Sequence, residues 1–363
     1  MGSRLTLCLT GDVMCGRGID QILAHPCDPT LYEPWVRSAL EYVKLAEQRN
    51  GPIPRRVDGP YIWGEALEIL SEASLRVVNL ETAVTNRGEP WPHKGIHYRM
   101  SPENLYCLTA AGIDCCVLAN NHLLDWSYPG LEDTLESLTG VGIAGCGAGR
   151  HLAEAAAPAI LDIGQGSRVI VVGLGATSSG IPDSWRATED RPGVALTGVS
   201  ATDVDAVAAK VASVRSAGDV VVASIHWGPN WGYRIPGSHR RFAQALIDGA
   251  GVDVVHGHSS HHPLAMEVHR GRLILYGCGD LINDYEGIGG RDEYRPDLGL
   301  IYRAELSDGM LERLEMTPVK RHRFRLNLAA EEDRLWLAET LAREGASLGT
   351  AVEEKGGRLV LRW

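Results

Sequence analysis

Four histidines, His256, His258, His261 and His262, fall within seven positions directly after the apolar run 252–255, in a chain with 13 histidines among 363 residues. Imidazole is the commonest neutral metal ligand and the side chain that exchanges protons most readily near pH 7. Such a cluster reads as a metal-binding or acid/base wall, against the duller account of a histidine-rich surface loop. Other stretches have the same character. Asp12 follows an apolar run, and Asn79 and Glu81 lie two apart, so that they share one side of an extended strand end. Asn121 and His122 precede Asp125, which at three residues' spacing can share a helical face with His122, fix its ring and raise its basicity. His226 closes another apolar run. Singly, Asp12 is as well explained as a turn residue, and a lone histidine as a satisfied core residue. Together, hard oxygen donors and imidazoles at the ends of several strands point to a metal site.

What must position them is an alternation of strands and helices. Five apolar runs, 4–9, 75–80, 115–119, 220–225 and 252–255, have the length and β-branched content of buried strands, and each ends in polar, chemically capable residues. In open α/β sheets ligands gather at that edge. Amphipathic patterns at 64–73, 102–111, 129–138, 202–216 and 239–248 predict helices between them, so the fold class is α/β. Residues 17–62 mix aromatic, Pro and Arg residues without strand alternation and read as an insertion capping the site. Shorter strand patterns at 266–269, 272–276, 298–305 and 311–317 predict antiparallel pairing that completes a second sheet. A helix at 330–344 and a strand-like tail follow. The layout is then 1–320 as one metal-binding domain carrying the 17–62 insertion, with 321–363 as a C-terminal helix and tail packed on it.

Acidic residues number 46 against 35 basic ones, a net charge of −11. This argues against nucleic-acid or anionic-membrane partners, which require concentrated positive charge. The eight cysteines include no C-x-x-C pair and several lie inside apolar runs, as reduced core residues do; neither a disulfide framework nor a zinc ribbon is expected. No run of about 18 apolar residues appears, and the start enters a strand pattern at once, so a cytoplasmic location without signal peptide or membrane span is expected. The same start fits the loose M-G-x-x-x-[ST] myristoylation pattern, discounted because those residues begin the first strand. Of five lysines only Lys94 lies near a candidate loop, which argues against pyridoxal phosphate, and no nucleotide is expected.

The stretches GDVM, NLET, LANNHLLD, SIHWG, GHSSHH and LYGCGDLINDYEG, in that order within residues 4–305, resemble the poly-γ-glutamate capsule-synthesis (CapA-type) branch of the calcineurin-like metallophosphoesterases. The resemblance implies a calcineurin-like four-layer α/β/β/α sandwich with two mixed sheets. It also implies a divalent metal held by Asp12, Glu81, Asn121, His226 and His258, with His122 in the acid/base position. Two departures stand out. Met14 occupies the place of a histidine in the phosphoesterase D-x-H motif, and Gly257-His258-Ser259-Ser260-His261 is one residue longer than G-H-x-H. In-line phosphoryl transfer commonly uses two metals about 4 Å apart. With one imidazole lost, a single ion is expected, its identity open among manganese, zinc, iron and calcium.

A single ion flanked by free histidines suits removal and return of a proton at a carbon beside a carboxylate, which needs acid/base groups on both faces. His122 with Asp125 would serve one face, and His261, oriented by Asp280 or Asp284, the other. The chain is similar to soluble members of this branch that epimerise the C-terminal residue of ribosomal (lasso) peptides. The leading expectation is therefore a metal-dependent peptide epimerase, an isomerase of ribosomal-peptide biosynthesis taking a peptide with a free carboxylate. The alternatives are a metallo-hydrolase of phosphoesters or γ-peptides and a capsule poly-γ-glutamate synthesis protein. Lys94 and Arg99, with Arg17, Arg240 and Arg241, are candidates to receive the carboxylate. Trp227 and Trp231, with Trp91 and Trp126, are candidates to line the pocket.

Overall fold

The computed structural model describes residues 4–164 and 167–363; the first three residues, where the myristoylation pattern begins, lie outside them. The first sheet runs, in spatial order, through strands 351–355, 358–362, 310–321, 298–307, 4–13, 75–80, 115–117 and 144–146. Strand Arg4–Val13 is parallel to Leu75–Leu80 and antiparallel to Leu298–Ser307. The second sheet runs through 196–197, 168–176, 220–226, 254–258, 272–275 and 266–269, parallel until the antiparallel hairpin that closes it.

Side-chain alternation along each strand sorts the apolar residues into layers. Leu5, Leu7, Leu9, Val77 and Val117 of the first sheet share one core with Val169, Val171, Val222, Val254 and Leu273 of the second. The opposite parity of the first sheet, Cys8, Val78 and Cys116, packs against Ile19, Ile22, Val43 and Leu131 of helices Arg17–Ile22, Ala39–Asn50 and Ser127–Gly140. The opposite parity of the second, Ile170, Val221, Ala223 and Ile225, packs against Val207, Val211, Phe242 and Leu246 of helices Ala201–Val214 and Gly237–Gly249. Each such Val, Leu or Phe contributes about 1.5–3 kcal/mol by leaving water. The result is the four-layer α/β/β/α sandwich of two mixed sheets.

Four expectations are corrected. Strands Leu298–Ser307 and Met310–Arg321 join the first sheet rather than completing the second; alternation identifies a strand but not its partner. The tail is not simply packed on a finished domain, since strands Ala351–Lys355 and Arg358–Arg362 extend the first sheet at its edge. The fifth predicted strand does not stop at Val255 but runs as Val254–His258, carrying two histidines within the sheet. The predicted helix 102–111 is a 3-10 turn, Pro102–Leu105, followed by a short helix, Tyr106–Ala110. Among the described residues no helix is long and apolar enough to cross a membrane.

Candidate metal centre

The parity that builds the inter-sheet core also builds the site. Positions 75 and 77 face that core, and Asn79 and Glu81 continue the same face past its apolar end. Positions 220 and 222 continue to Ser224 and His226, and 254 continues to His256 and His258. The cleft between the sheets is thus apolar below and polar at the carboxyl ends of its strands. Asp12 enters by a register shift between Leu9 and Asp12. There the strand passes so close to residue 279 that a Cβ on Gly11 would lie 1.6 Å from the Gly279 carbonyl oxygen, which only glycine permits.

One hydrogen-bond chain fixes the tautomers. His256 Nε2 lies 2.8 Å from the Thr10 carbonyl oxygen, an obligate acceptor, so that nitrogen carries the proton. The bare Nδ1 then accepts from the Ser224 hydroxyl at 2.9 Å, and Ser224 Oγ accepts from His258 Nε2 at 3.1 Å. This leaves His258 Nδ1 with a lone pair directed into the site. His226 Nε2 donates to Asn121 Oδ1 at 2.9 Å, which likewise bares its Nδ1. The two bare nitrogens are 2.9 Å apart and 3.9–4.0 Å from Asp12 Oδ1. Lone pairs converging in this way repel one another until a cation sits between them. Asp12, His226 and His258 therefore form a donor set fitted to a divalent ion, with one ligand atom from each within 4.8 Å of the others.

Electrostatics agree. Burial, and then the neighbouring Asp280 carboxylate, pushes Asp12 up to about 8. Burial and repulsion from Asp12 and Asp280 raise Glu81 well above the carboxylate range. Burial holds His226 and His258 well below the usual imidazole value. Carboxylates resisting ionisation beside imidazoles kept neutral are a set that a bound cation would stabilise. Asn79 ties the cluster together, donating to Asp12 Oδ1 at 2.7 Å and accepting from Asn120 at 3.1 Å.

Two histidines flank the cluster. His122 Nδ1 donates to Asp125 Oδ2 at 2.6 Å, leaving Nε2 bare, 3.9 Å from Glu81. The ring stacks on Tyr98 at 4.0 Å. Lys94 Nζ is 2.5 Å from Asp125 Oδ1, and burial followed by that ammonium charge lowers His122 to about 4. His261 Nδ1 lies 3.0 Å from Asp280 Oδ1. Burial opposes its protonation, but the Asp280 carboxylate outweighs burial and raises it.

Asp12, Glu81, Asn121, His226, His258, His122, Asp125, His261 and Lys94 are thus brought together; other candidates lie elsewhere. Asp284 is held by Arg17, whose Nε and Nη2 donate at 2.8 and 2.5 Å, and by the Gly18 amide at 2.8 Å. The acid facing His261 is Asp280. Arg17 itself is buried between Asp284, Glu33 and the Tyr42 ring, its side chain only 2% exposed. The Arg99 guanidinium lies over the Trp126 ring at 3.7 Å and donates to the Asp28 carbonyl. Arg240 forms two bonds to Glu267, and Arg241 is exposed on its helix. Trp227 is core, stacked on His239 at 4.6 Å with its indole N–H on the Tyr276 carbonyl. Trp91 packs against Trp185. Trp231, half-buried and 5.2 Å from the His261 ring, stands at the mouth. His256 and His262 are structural, the latter accepting from the Gly232 amide. Asn120 and Ser224 were missed; strand parity alone would have found Ser224.

Two mixed sheets with a buried carboxylate and imidazole cluster where their strand ends meet define an α/β protein with a candidate divalent-metal site. The family described as bacterial capsule synthesis protein PGA_cap matches residues 6–285, and the chain belongs to it. A probable polyglutamine synthesis accessory protein of Mycobacterium tuberculosis (strain ATCC 25618 / H37Rv) is 47% identical over 362 residues, covering 98% of this chain and 95% of that one. The PGA biosynthesis protein CapA of Bacillus subtilis (strain 168) is 24% identical, covering 88% and 72%. A solved phosphatase structure from Mycoplasma pneumoniae aligns with a TM-score of 0.44 at 14% identity, covering 89% of this chain and 97% of that one, a likeness too distant to bear on chemistry.

Proposed function

We propose that the protein is a metal-dependent hydrolase that cleaves an amide bond in the carboxylate-rich chain of a capsule-type polymer during its synthesis. The observation that carries this reading is a proton-exchanging imidazole, His122, beside the converging donors of Asp12, His226 and His258. The family and the names of its relatives, which concern polyglutamine and PGA synthesis, supply the polymer class. A divalent ion at those donors would act as a Lewis acid on a carbonyl oxygen.

The remaining roles belong to the chain. Asp125 holds His122 through Nδ1, so the bare Nε2 faces the reacting centre. Burial and Lys94 keep that imidazole neutral, and it takes a proton from the attacking water as the C–O bond forms. It returns the proton to the departing nitrogen as the C–N bond breaks. Lys94 pairs with Asp125 Oδ1 and donates to the Ile96 carbonyl at 2.9 Å, so its charge acts on the Asp125 and His122 pair.

A second reading, epimerisation at a Cα beside a carboxylate, is favoured by one observation: His261 with Asp280 forms a second imidazole and carboxylate pair on a separate loop. One experiment separates the two. The metal-loaded protein is incubated in deuterium oxide with γ-linked glutamate oligomers and with carboxylate-ended peptides, then analysed by mass spectrometry. New amino ends without deuterium at Cα support hydrolysis, and their absence overturns it. Deuterium at one Cα without cleavage establishes epimerisation instead.

A further inference from the structure

Each imidazole and carboxylate pair beside the cleft has a tyrosine built onto it. Asp125 Oδ2, which accepts from His122 Nδ1, also accepts from the Tyr98 backbone amide at 2.6 Å. The Tyr98 ring stacks on the His122 ring at 4.0 Å. On the other side, Asn283 donates to Asp280 Oδ2 at 2.7 Å and accepts from the Tyr285 amide at 3.1 Å. Asp280 is the acid that faces His261, and the Tyr285 ring stands edge-on to the His261 ring with their centres 5.4 Å apart. The two phenols bridge the two histidines, and their hydroxyl oxygens meet at 2.7 Å.

This bridge holds one proton more than it uses. Burial raises both phenols well above their ordinary value, so each keeps its proton, and the contact between them consumes one. Among the described residues neither hydroxyl has another hydrogen-bond partner. The Asp284 carboxylate next in the chain is taken by Arg17 and the Gly18 amide. A buried donor without an acceptor is uncompensated until one arrives. Tyr98 is 1% exposed and Tyr285 half-buried, which places the spare proton on the more open Tyr285, with Tyr98 donating to it. A hydroxyl that accepts one hydrogen bond donates a stronger one.

We propose that the Tyr285 hydroxyl is a catalytic hydrogen-bond donor to the carbonyl oxygen of the amide under attack, with Tyr98 as its positioning partner. The inference deepens the amide-hydrolase reading and rests on it. As water bonds to the carbonyl carbon and gives its proton to His122, the C–O π pair moves onto the carbonyl oxygen. That oxygen accepts from Tyr285 without taking the proton, and the pair returns as the C–N bond breaks. A donor unpaired at rest and paired while this charge exists favours the transition state over the substrate.

The test uses metal-loaded, full-length protein and two probes: a γ-linked glutamate oligomer, scored by new amino ends, and its phosphinate analogue, in which tetrahedral phosphorus replaces the scissile amide. Substitution by Phe keeps both ring contacts. Tyr285→Phe is expected to lower kcat about 10²-fold, to change KM by less than about threefold, and to weaken phosphinate binding in proportion to kcat. Tyr98→Phe, which leaves the Tyr285 hydroxyl in place, should lose about tenfold in kcat. Should Tyr285→Phe fail to fold, Tyr98→Phe carries the test. Wild-type kcat in the folded variant, or equal losses of oligomer and phosphinate affinity, overturns the proposal and leaves hydrolysis standing. A wild type that releases no amino ends overturns the hydrolase reading and the proposal with it.

Discussion

The two sheets bring different chemistry to one cleft. The first supplies oxygen, through Asp12, Asn79, Glu81, Asn121 and Asp280; the second supplies nitrogen, through His226 and His258. Their supports differ too. On the first side, Arg17 compensates Asp284 and Glu33 in a fully buried charge cluster. On the second, a neutral chain of imidazole, hydroxyl and imidazole ends on a backbone carbonyl. The difference teaches that the Asp12, His226 and His258 set draws on both sheets. The site exists only when both are packed, and the two halves should fail in different ways.

The largest effect is expected from the charged half. Arg17→Met leaves two buried carboxylates without their cation and should cost about 3–5 kcal/mol in urea unfolding; a loss below about 1 kcal/mol would show that the cluster is already neutral. Next comes the ion that joins the halves. At a free metal concentration of about 100 times Kd, chelation should remove about 2.7 kcal/mol of stability, read as a lower Tm. Asp12→Ala from one sheet and His226→Ala from the other should each abolish the difference between metal-loaded and metal-free protein. A shift surviving in either variant would mean that a single sheet suffices.

The neutral half should respond more gently. His256→Leu strands the Thr10 carbonyl and frees Ser224 to bond His258 through either tautomer. It should cost about 1–3 kcal/mol and weaken metal binding about tenfold, measured by unfolding and by titration. The smallest effect lies outside the cleft. Ser200 caps helix Ala201–Val214 in a capping box with Asp203, so Ser200→Ala should cost about 1 kcal/mol without touching metal affinity. Burial opposes ionisation of Asp203, but hydrogen bonds from Ser200 and neighbouring amides outweigh it and lower its pKa. Its contribution is therefore present above the ordinary carboxylate pKa and is lost as pH falls through the lowered value. Unfolding curves across the acid range should converge for wild type and Ser200→Ala.

Strand ends were legible because alternation and polar closure are local signals. Asn79 and Glu81 show their shared face in the sequence itself. Asp280 was read only as an orienting acid because its strand has three residues, Asp280–Ile282, and its partner Asp12 lies far away in sequence. Asp284, two positions past that strand, carried an equal claim until Arg17, 267 residues distant, occupied it. Trp227 and Trp231 share one motif, yet one is core and the other lines the mouth. The same amphipathic side chain serves both, and only the turn around Gly228, at φ 82°, separates their directions.

The position of the opening strand has a consequence for how the molecule comes into being. Arg4–Val13 is made long before its partners yet lies in the middle of its sheet, bonded along one edge to Leu298–Ser307 and at its end to Asp280–Ile282. At about 5–20 residues per second, it waits on the order of 15–60 s for that partner. Any nascent fragment ending before residue 298 carries an open edge suited to pairing with other chains. Chain growth itself thus withholds the oxygen half until the nitrogen half has been made, and the emerging polypeptide cannot capture an ion in the finished geometry before strand Leu298–Ser307 exists.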